Sequence, residues 1–298
     1  MTSQSGILLL LLSIVPGICL AGENPTPAGS TPAVIKVKYF QPPLEKDIPN
    51  NQFGKMVTLG KNIFEHTGQY AGKYVGNKLQ CVNCHLDAGR LANSAPLWAA
   101  WVKYPKYRGK NKMVNTIAER FQGCFRYSMN GTPPPTDSKT LKALMSYSFW
   151  LATGAPTNIN MPGSGYPKIA KPPKAPDFAR GKIAFENNCA ICHGANGKGT
   201  QKNGQYIFPP LWGKNSFNWG AGMHRINTAA SFIHANMPLG QGGTLSVQQA
   251  WDLAYYINSH ERPQDPRFKG NIQQTDKKFH AHQCRYGDNV NHHILGKR

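Results

Sequence analysis

Acidic side chains are scarce in this 298-residue chain: 14 Asp and Glu stand against 34 Lys and Arg, a formal charge of +20. Long apolar runs are scarce too. The stretch "GILLLLLSIVPGICLAG" near the start is too short to span a bilayer comfortably, and no later segment is apolar enough to try. An integral membrane protein is therefore excluded for the remainder, and no membrane span is expected in the mature chain. The short run is followed by small residues and by "ENPTPAGSTPA", so residues 1–22 are read as a signal peptide and the protein as periplasmic, although no Lys or Arg precedes the run. Export removes nucleic acid, the usual partner of so basic a chain, and leaves a small anion or an acidic protein.

Unassigned cysteines are few. Of seven, Cys19 falls in the leader and four occupy two Cys-x-x-Cys-His motifs, "CVNCH" (81–85) and "CAICH" (189–193), which leaves Cys124 and Cys284. Cys-x-x-Cys-His attaches c-type haem: the two thiols add across the vinyl groups and the adjacent His supplies the proximal nitrogen. Two covalently bound haem c groups are expected, held by Cys81 and Cys84 with His85, and by Cys189 and Cys192 with His193. A structural zinc site made from the four cysteines is the rival reading, opposed by their separation of over a hundred residues and by the His after each pair. Redox disulfides lack the βαβ setting they would need.

Each motif sits in the same plan. Helical spacing of Phe53, Met56, Val57, Gly60 and Phe64, ended by Gly68, precedes the first; Phe178, Gly181 and Phe185 behind Asp177 precede the second. Amphipathic helices over 141–154 and 246–260 follow, the latter opening on Ser246 and Gln249 as a capping box. A glycine on each leading helix would let the aromatic trailing helix cross it closely. The expected fold is all-α: two class I cytochrome c-like domains in tandem, 35–154 and 177–262, joined by a Pro/Gly-rich linker at 155–176 and followed by a tail at 263–298 that shows no periodicity.

Each iron needs a sixth ligand or an open position. Met237, in "NMPLG", lies 44 residues after His193, and Met129 lies 44 residues after His85. Spacing alone nominates both methionines. Cys124, five residues before Met129 in "ERFQGCFRYSMNG", stands as the rival on the first haem, and a Cys124–Cys284 disulfide is a further alternative in an oxidising compartment.

The stretches "YVGNKLQCVNCHLDAGR", "TIAERFQGCFRYSMNG", "CAICHGANGKG" and "NMPLG" resemble the dihaem thiosulfate dehydrogenases, over roughly residues 40–260. The first-unit motif, with Cys inside "GCFRYSMNG", is its specific part. The resemblance implies that Cys124, as thiolate, ligates the first haem; that this haem is catalytic; and that His193 and Met237 ligate the second, which passes electrons to a small periplasmic redox protein such as a cytochrome c. It further implies reversible oxidation of two thiosulfate to tetrathionate, with Arg108, Arg120 and Ser128 as substrate contacts and Gln122 as a weaker one. Asn236 stands where some members carry a Lys that competes for iron. Cations at Lys110, Lys112 and Arg126 join the two arginines near Cys124, as two thiosulfate dianions held together would require. Two other functions use the same motifs: a dihaem electron-transfer cytochrome without catalysis, and a haem-Cys subunit that carries sulfane sulfur to a partner.

Overall fold

Side-chain caps start all but one of the six helices that carry the architecture: α1 (Gln52–Glu65), α2 (Ile117–Gly123), α3 (Lys139–Leu151), α4 (Phe178–Asn188), α5 (Ile226–Asn236) and α6 (Val247–Asn258). Asn51 accepts from Gly54 N–H at 3.0 Å, Ser138 from Leu141 at 3.3 Å and Asp177 from Arg180 at 2.8 Å. The Ser246 hydroxyl accepts from Gln249 N–H at 3.2 Å while the Gln249 side chain accepts from Ser246 N–H at 2.9 Å, which closes the expected box. A second box, Thr116 with Glu119, starts α2. The computed structural model describes Met1 and residues 38–297 except Lys110; the expected leader after Met1, with Cys19, and residues 35–37 of the expected first domain lie outside the described residues, as do Lys110 and Arg298.

α1 packs on α3, and α4 on α6, by one device used twice. A Cβ added at Gly60 would lie 2.1 Å from the Ala143 carbonyl oxygen and 2.7 Å from Tyr147 Cβ; one at Gly181 would lie 2.2 Å from the Asp252 oxygen and 2.7 Å from Tyr256 Cβ. Only a hydrogen fits at either crossing. Two apolar clusters form around these pairs. Val57, Phe64, Trp98, Phe125, Leu144 and Tyr147 belong to the first, and Phe185, Trp212, Ile233, Trp251 and Leu253 to the second. Residues 38–298 nevertheless make up one compact unit.

The Pro/Gly-rich stretch between the clusters has no helix or strand, yet it is tied down on both sides. Gly163 and Gly165 carbonyls accept from Asn93 and Ala95 N–H, and the Tyr166 hydroxyl donates to the Cys84 carbonyl at 3.1 Å. On the other side Trp251 Nε1 donates to the Ala170 carbonyl and Lys174 N–H to Gln248. Its irregular backbone is used to meet both neighbours.

Three details depart from the reading of the sequence. The fold is helix-rich, and among the described residues it also carries three two-stranded antiparallel hairpins: β1 (Lys106–Arg108) with β2 (Met113–Asn115), β3 (Thr200–Lys202) with β4 (Gln205–Phe208), and β5 (Asn289–Val290) with β6 (His293–Ile294). Asn203 and Gly204, both at positive φ, make the tight turn that the second hairpin needs. α1 stops at Glu65, three residues before Gly68, and Thr67 opens a separate helical turn. That break lets the buried Thr67 hydroxyl accept from Cys81 N–H at 3.2 Å, which anchors the first Cys-x-x-Cys-His motif. Similarly α3 ends at Leu151, and Gly154 takes up φ +79 beyond it.

The tail is ordered around a buried charge. Asp265 is 1% exposed, receives His280 Nε2 at 2.9 Å and pairs with Arg267 at 2.6 Å, while Tyr286 stacks on the His280 ring at 4.2 Å. Trp219, Tyr286 and Leu295 form a third small cluster. No helix among the described residues is long and apolar enough to cross a membrane.

Candidate haem and substrate site

Sulfur and imidazole meet in one cavity. Cys81, Cys84 and His85 line it together with Cys124, Arg120, Ser128 and Met129, and Phe64, Leu79, Leu97, Phe121 and Leu144 supply apolar walls. His85 is oriented by its Nδ1, which lies 2.7 Å from the Ala95 carbonyl. With Nδ1 as the donor, Nε2 is left as the metal-binding nitrogen. All six described cysteines are free, so the thiols at 81 and 84 are available for thioether bonds, and Cys124 and Cys284 are not joined. An apolar cavity with two thiols, an oriented imidazole and a sulfur facing it fits a covalently attached haem. The four motif cysteines do not converge on a zinc site: among the described residues the grouping of three His, Cys, Asp or Glu ligands lies elsewhere, at His224, His282 and Cys284.

Cys124 reaches the cavity from the end of α2, its N–H donating to the Arg120 carbonyl, and the backbone changes pitch directly after it. α2 runs through Gly123, and Cys124–Ser128 then form one π-helical turn, with Met129 N–H donating to the Cys124 carbonyl at 2.9 Å. Such wide turns re-aim a side chain and recur at functional sites. In the second cluster α5 ends at Asn236 and Met237 follows as its extended C-cap, so the two loops differ where the candidate ligands differ. Met129 is also buried at the cavity wall, 2% exposed.

The electrostatics single out Cys124 from its neighbours. Burial pushes the Cys81 and Cys84 thiols up to about 12. Burial pushes the Cys124 thiol up too, but the Arg120 charge, together with hydrogen bonding and charge from His85 and the Arg120 hydrogen bond, outweighs it and brings the thiol down to about 7. Arg120 Nη1 donates to Cys124 Sγ at 2.8 Å, one helical turn away. The thiolate form is thus accessible at neutral pH at this one sulfur of the cavity.

Other expected site residues divide. Arg108 lies outside the haem cavity, in an adjoining cationic pocket with Lys106, Tyr107 and Arg225; Tyr104, which accepts from Arg108 Nη1 at 2.7 Å, lines both. Gln122 turns away, donating to the Pro134 carbonyl at 2.9 Å and to Thr136, and does not line the cavity. Tyr104, Lys103 and Arg225 were not singled out from the sequence; Tyr104 and Lys103 lie in "WVKYPKYR", whose alternating aromatics and cations were the available signal. Arg225 comes from a hundred residues further on and carried none.

The second motif repeats the orienting device. His193 Nδ1 lies 2.8 Å from the Pro209 carbonyl, and burial lowers the ring's proton affinity. Cys189 and Met237 pack against the second cluster. Asparagines join the two halves: Asn77 Nδ2 donates to the Ser128 and Ser216 carbonyls at 2.8 and 3.0 Å, Asn218 Nδ2 to the Arg126 carbonyl at 2.9 Å, and Asn236 Nδ2 to the Asn93 carbonyl at 3.1 Å.

Comparison with known proteins agrees with this chemistry. The cytochrome c family matches residues 178–261. A thiosulfate dehydrogenase of Stutzerimonas stutzeri (strain A1501) is 52% identical, covering 100% of this chain and 99% of that protein. Another, of Thiomonas intermedia (strain K12), is 56% identical and covers 86% of this chain and 82% of its own length. The as-isolated thiosulfate dehydrogenase (TsdBA) of Marichromatium purpuratum superposes with a TM-score of 0.85 at 50% identity, over 87% of this chain and 58% of that longer one.

Proposed function

The chain belongs to the thiosulfate dehydrogenase family, and from that membership we propose that it joins two thiosulfate ions into tetrathionate at Cys124. The observation that carries the reading is the Arg120–Cys124 contact at 2.8 Å inside the cavity that His85 faces. Thiosulfate is a dianion whose sulfonate end matches the forked donors of a guanidinium. Arg120 and Ser128 receive the first thiosulfate beside the sulfur. Arg108, in the pocket that shares Tyr104, draws in the second.

The Cys124 thiolate bonds to the outer sulfur of the first thiosulfate, giving a Cys–S–S–SO3⁻ adduct with release of two electrons. A second thiosulfate then attacks the adduct at the sulfur bonded to Cys124 Sγ, the bond between Sγ and that sulfur breaks, and tetrathionate leaves with the thiolate regenerated. Haem c, when bound, supplies the electron-accepting chemistry that this oxidation needs. Arg120 holds the thiolate and the dianion together, and the apolar walls keep water from the adduct.

Ligation belongs to the same proposal: in the resting protein His85 with Cys124 would hold the first haem, and His193 with Met237 the second. The duplicated glycine crossing and the two histidines oriented through Nδ1 support two haem-bearing units, 35–154 and 177–262, with 155–176 between them. The second passes electrons to a small periplasmic cytochrome, and residues 1–22 direct export. The test is Cys124→Ala in haem-loaded protein, with ferricyanide as acceptor and tetrathionate assayed. Both haems are retained and turnover is lost; full activity in that variant sinks the reading.

A further inference from the structure

Away from the haem cavity, three metal-binding side chains converge where the tail meets the turn before α5. His224 is fully buried, at the end of the Gly222–His224 turn, and His282 and Cys284 come from the tail. Their ligand atoms, two imidazole nitrogens and a sulfur, all lie within 4.8 Å of one another. His224 Nε2 and His282 Nε2 face each other at 3.0 Å. Two zinc–nitrogen bonds of ~2.0–2.1 Å at a tetrahedral angle hold their nitrogens about 3.3 Å apart, so this pair already has the separation of a ligand edge.

His224 Nδ1 is engaged by the Ala221 carbonyl. This is the arrangement that orients His85 and His193, and it turns Nε2 toward His282. Cys284 is positioned as well. Its sulfur accepts from Tyr286 N–H at 3.3 Å and lies 3.5 Å from His280 Nδ1, and the far nitrogen of that ring is held by Asp265. A sulfur fixed by a backbone amide and a buried ring, opposite two imidazoles, is a donor set for a borderline-soft d¹⁰ cation rather than for calcium or magnesium.

We propose that His224, His282 and Cys284 bind one zinc ion, with solvent as the fourth ligand, and that this ion pins the tail to the turn leading into α5. The Cys284 thiol proton passes to solvent on binding, so the bound set is a thiolate and two neutral imidazoles. Arg225, the residue after His224, lines the cationic pocket with Arg108, so the ion would steady the backbone that presents this cation.

The test uses the haem-loaded protein, stripped with a chelator, given one equivalent of zinc, desalted and analysed for zinc and iron by mass spectrometry. One zinc per chain is expected in the parent and none in the His282→Ala, Cys284→Ser double variant, with iron unchanged in both. No retained zinc in the parent, or equal retention in the variant, overturns the proposal; so does retention of Cu⁺ in place of zinc when both are offered under reducing conditions. Alkylation of the Cys284 peptide in the parent guards against a variant that fails to fold. Zinc slows it at least tenfold if the site is real, and an unchanged rate overturns the assignment.

Discussion

Gly181→Ala puts the duplicated helix crossing to the test. The added Cβ would lie 2.2 Å from the Asp252 carbonyl oxygen, 2.7 Å from Tyr256 Cβ and 2.8 Å from the Asp252 carbonyl carbon. Two of these three atoms are α6 backbone, so no rotamer change relieves the contact, and α4 must move away from α6 by about 1 Å. A gap of that size forfeits roughly a quarter to a half of the dispersion energy at each contact along the face. Overpacking of this kind costs about 1–3 kcal/mol, set against about 1 kcal/mol gained by replacing a helical glycine. Because α4 and α6 part as a pair, Phe185, Tyr256 and the Arg180–Asp252 ion pair at 2.8 Å are disturbed together, which favours the upper end. The expected net loss is about 2 kcal/mol, or roughly 4–8 °C in the midpoint of thermal unfolding followed by circular dichroism. Gly68→Ala is the control, since nothing lies within 4 Å of its Cβ position and the exchange should be neutral or slightly stabilising. A Gly181→Ala protein as stable as its Gly68→Ala counterpart would refute the close-crossing account.

Three further outcomes are expected. Arg120→Met removes a charge-assisted contact worth about 1.5–3 kcal/mol, so kcat/KM for thiosulfate should fall roughly 10- to 100-fold, with Arg120→Lys restoring only part because the fork is lost; unchanged kinetics at fixed ionic strength would contradict the assignment. Asp265→Asn should cost about 3–5 kcal/mol by leaving His280 and Arg267 without their buried carboxylate. Burial raises the Asp265 pKa, but hydrogen bonds from His280 and Arg267 outweigh it and hold the carboxyl well below the ordinary range. Its stabilisation is therefore complete above about pH 4 and lost as pH falls further, so parent and variant should converge on acidification; a stability gap that does not narrow would contradict it. Asn77→Ala strips a donor from the Ser128 and Ser216 carbonyls and should cost about 1–3 kcal/mol for each carbonyl left unpaired, read by urea unfolding, where an unshifted midpoint would tell against the bridging role.

Much of the fold was legible wherever a local rule decides the outcome. Asp177 and Ser246 cap helices because a side-chain oxygen next to free N–H groups has one good use, and Gly60 and Gly181 announce a close crossing because nothing larger fits. The end of α1 was not legible. Gly68 looked like the stop, but the need to bring Thr67 against Cys81 ends the helix sooner. In the site, the Cys-x-x-Cys-His motifs named themselves, whereas spacing pointed to Met129 and could not foresee the π turn that sets Cys124 and Met129 on the wall of one cavity. A single extra residue per turn leaves no mark on hydrophobic periodicity. Arg225 and the tail escaped for a different reason: their roles rest on contacts between segments far apart in the chain, with Asp265, His280 and Tyr286 burying polar groups that read as surface when taken one at a time.

The central claim is that the Cys124 sulfur carries the first thiosulfate. Its most direct test mixes oxidised, haem-loaded protein with less than one equivalent of thiosulfate, quenches in acid, and weighs the peptide containing Cys124. The expected result is a gain of one S2O3 unit on Cys124 alone, discharged as tetrathionate when a second portion of thiosulfate is added before the quench. Tetrathionate appearing while the Cys124 peptide never gains mass, or an adduct found instead on Cys284, would contradict it.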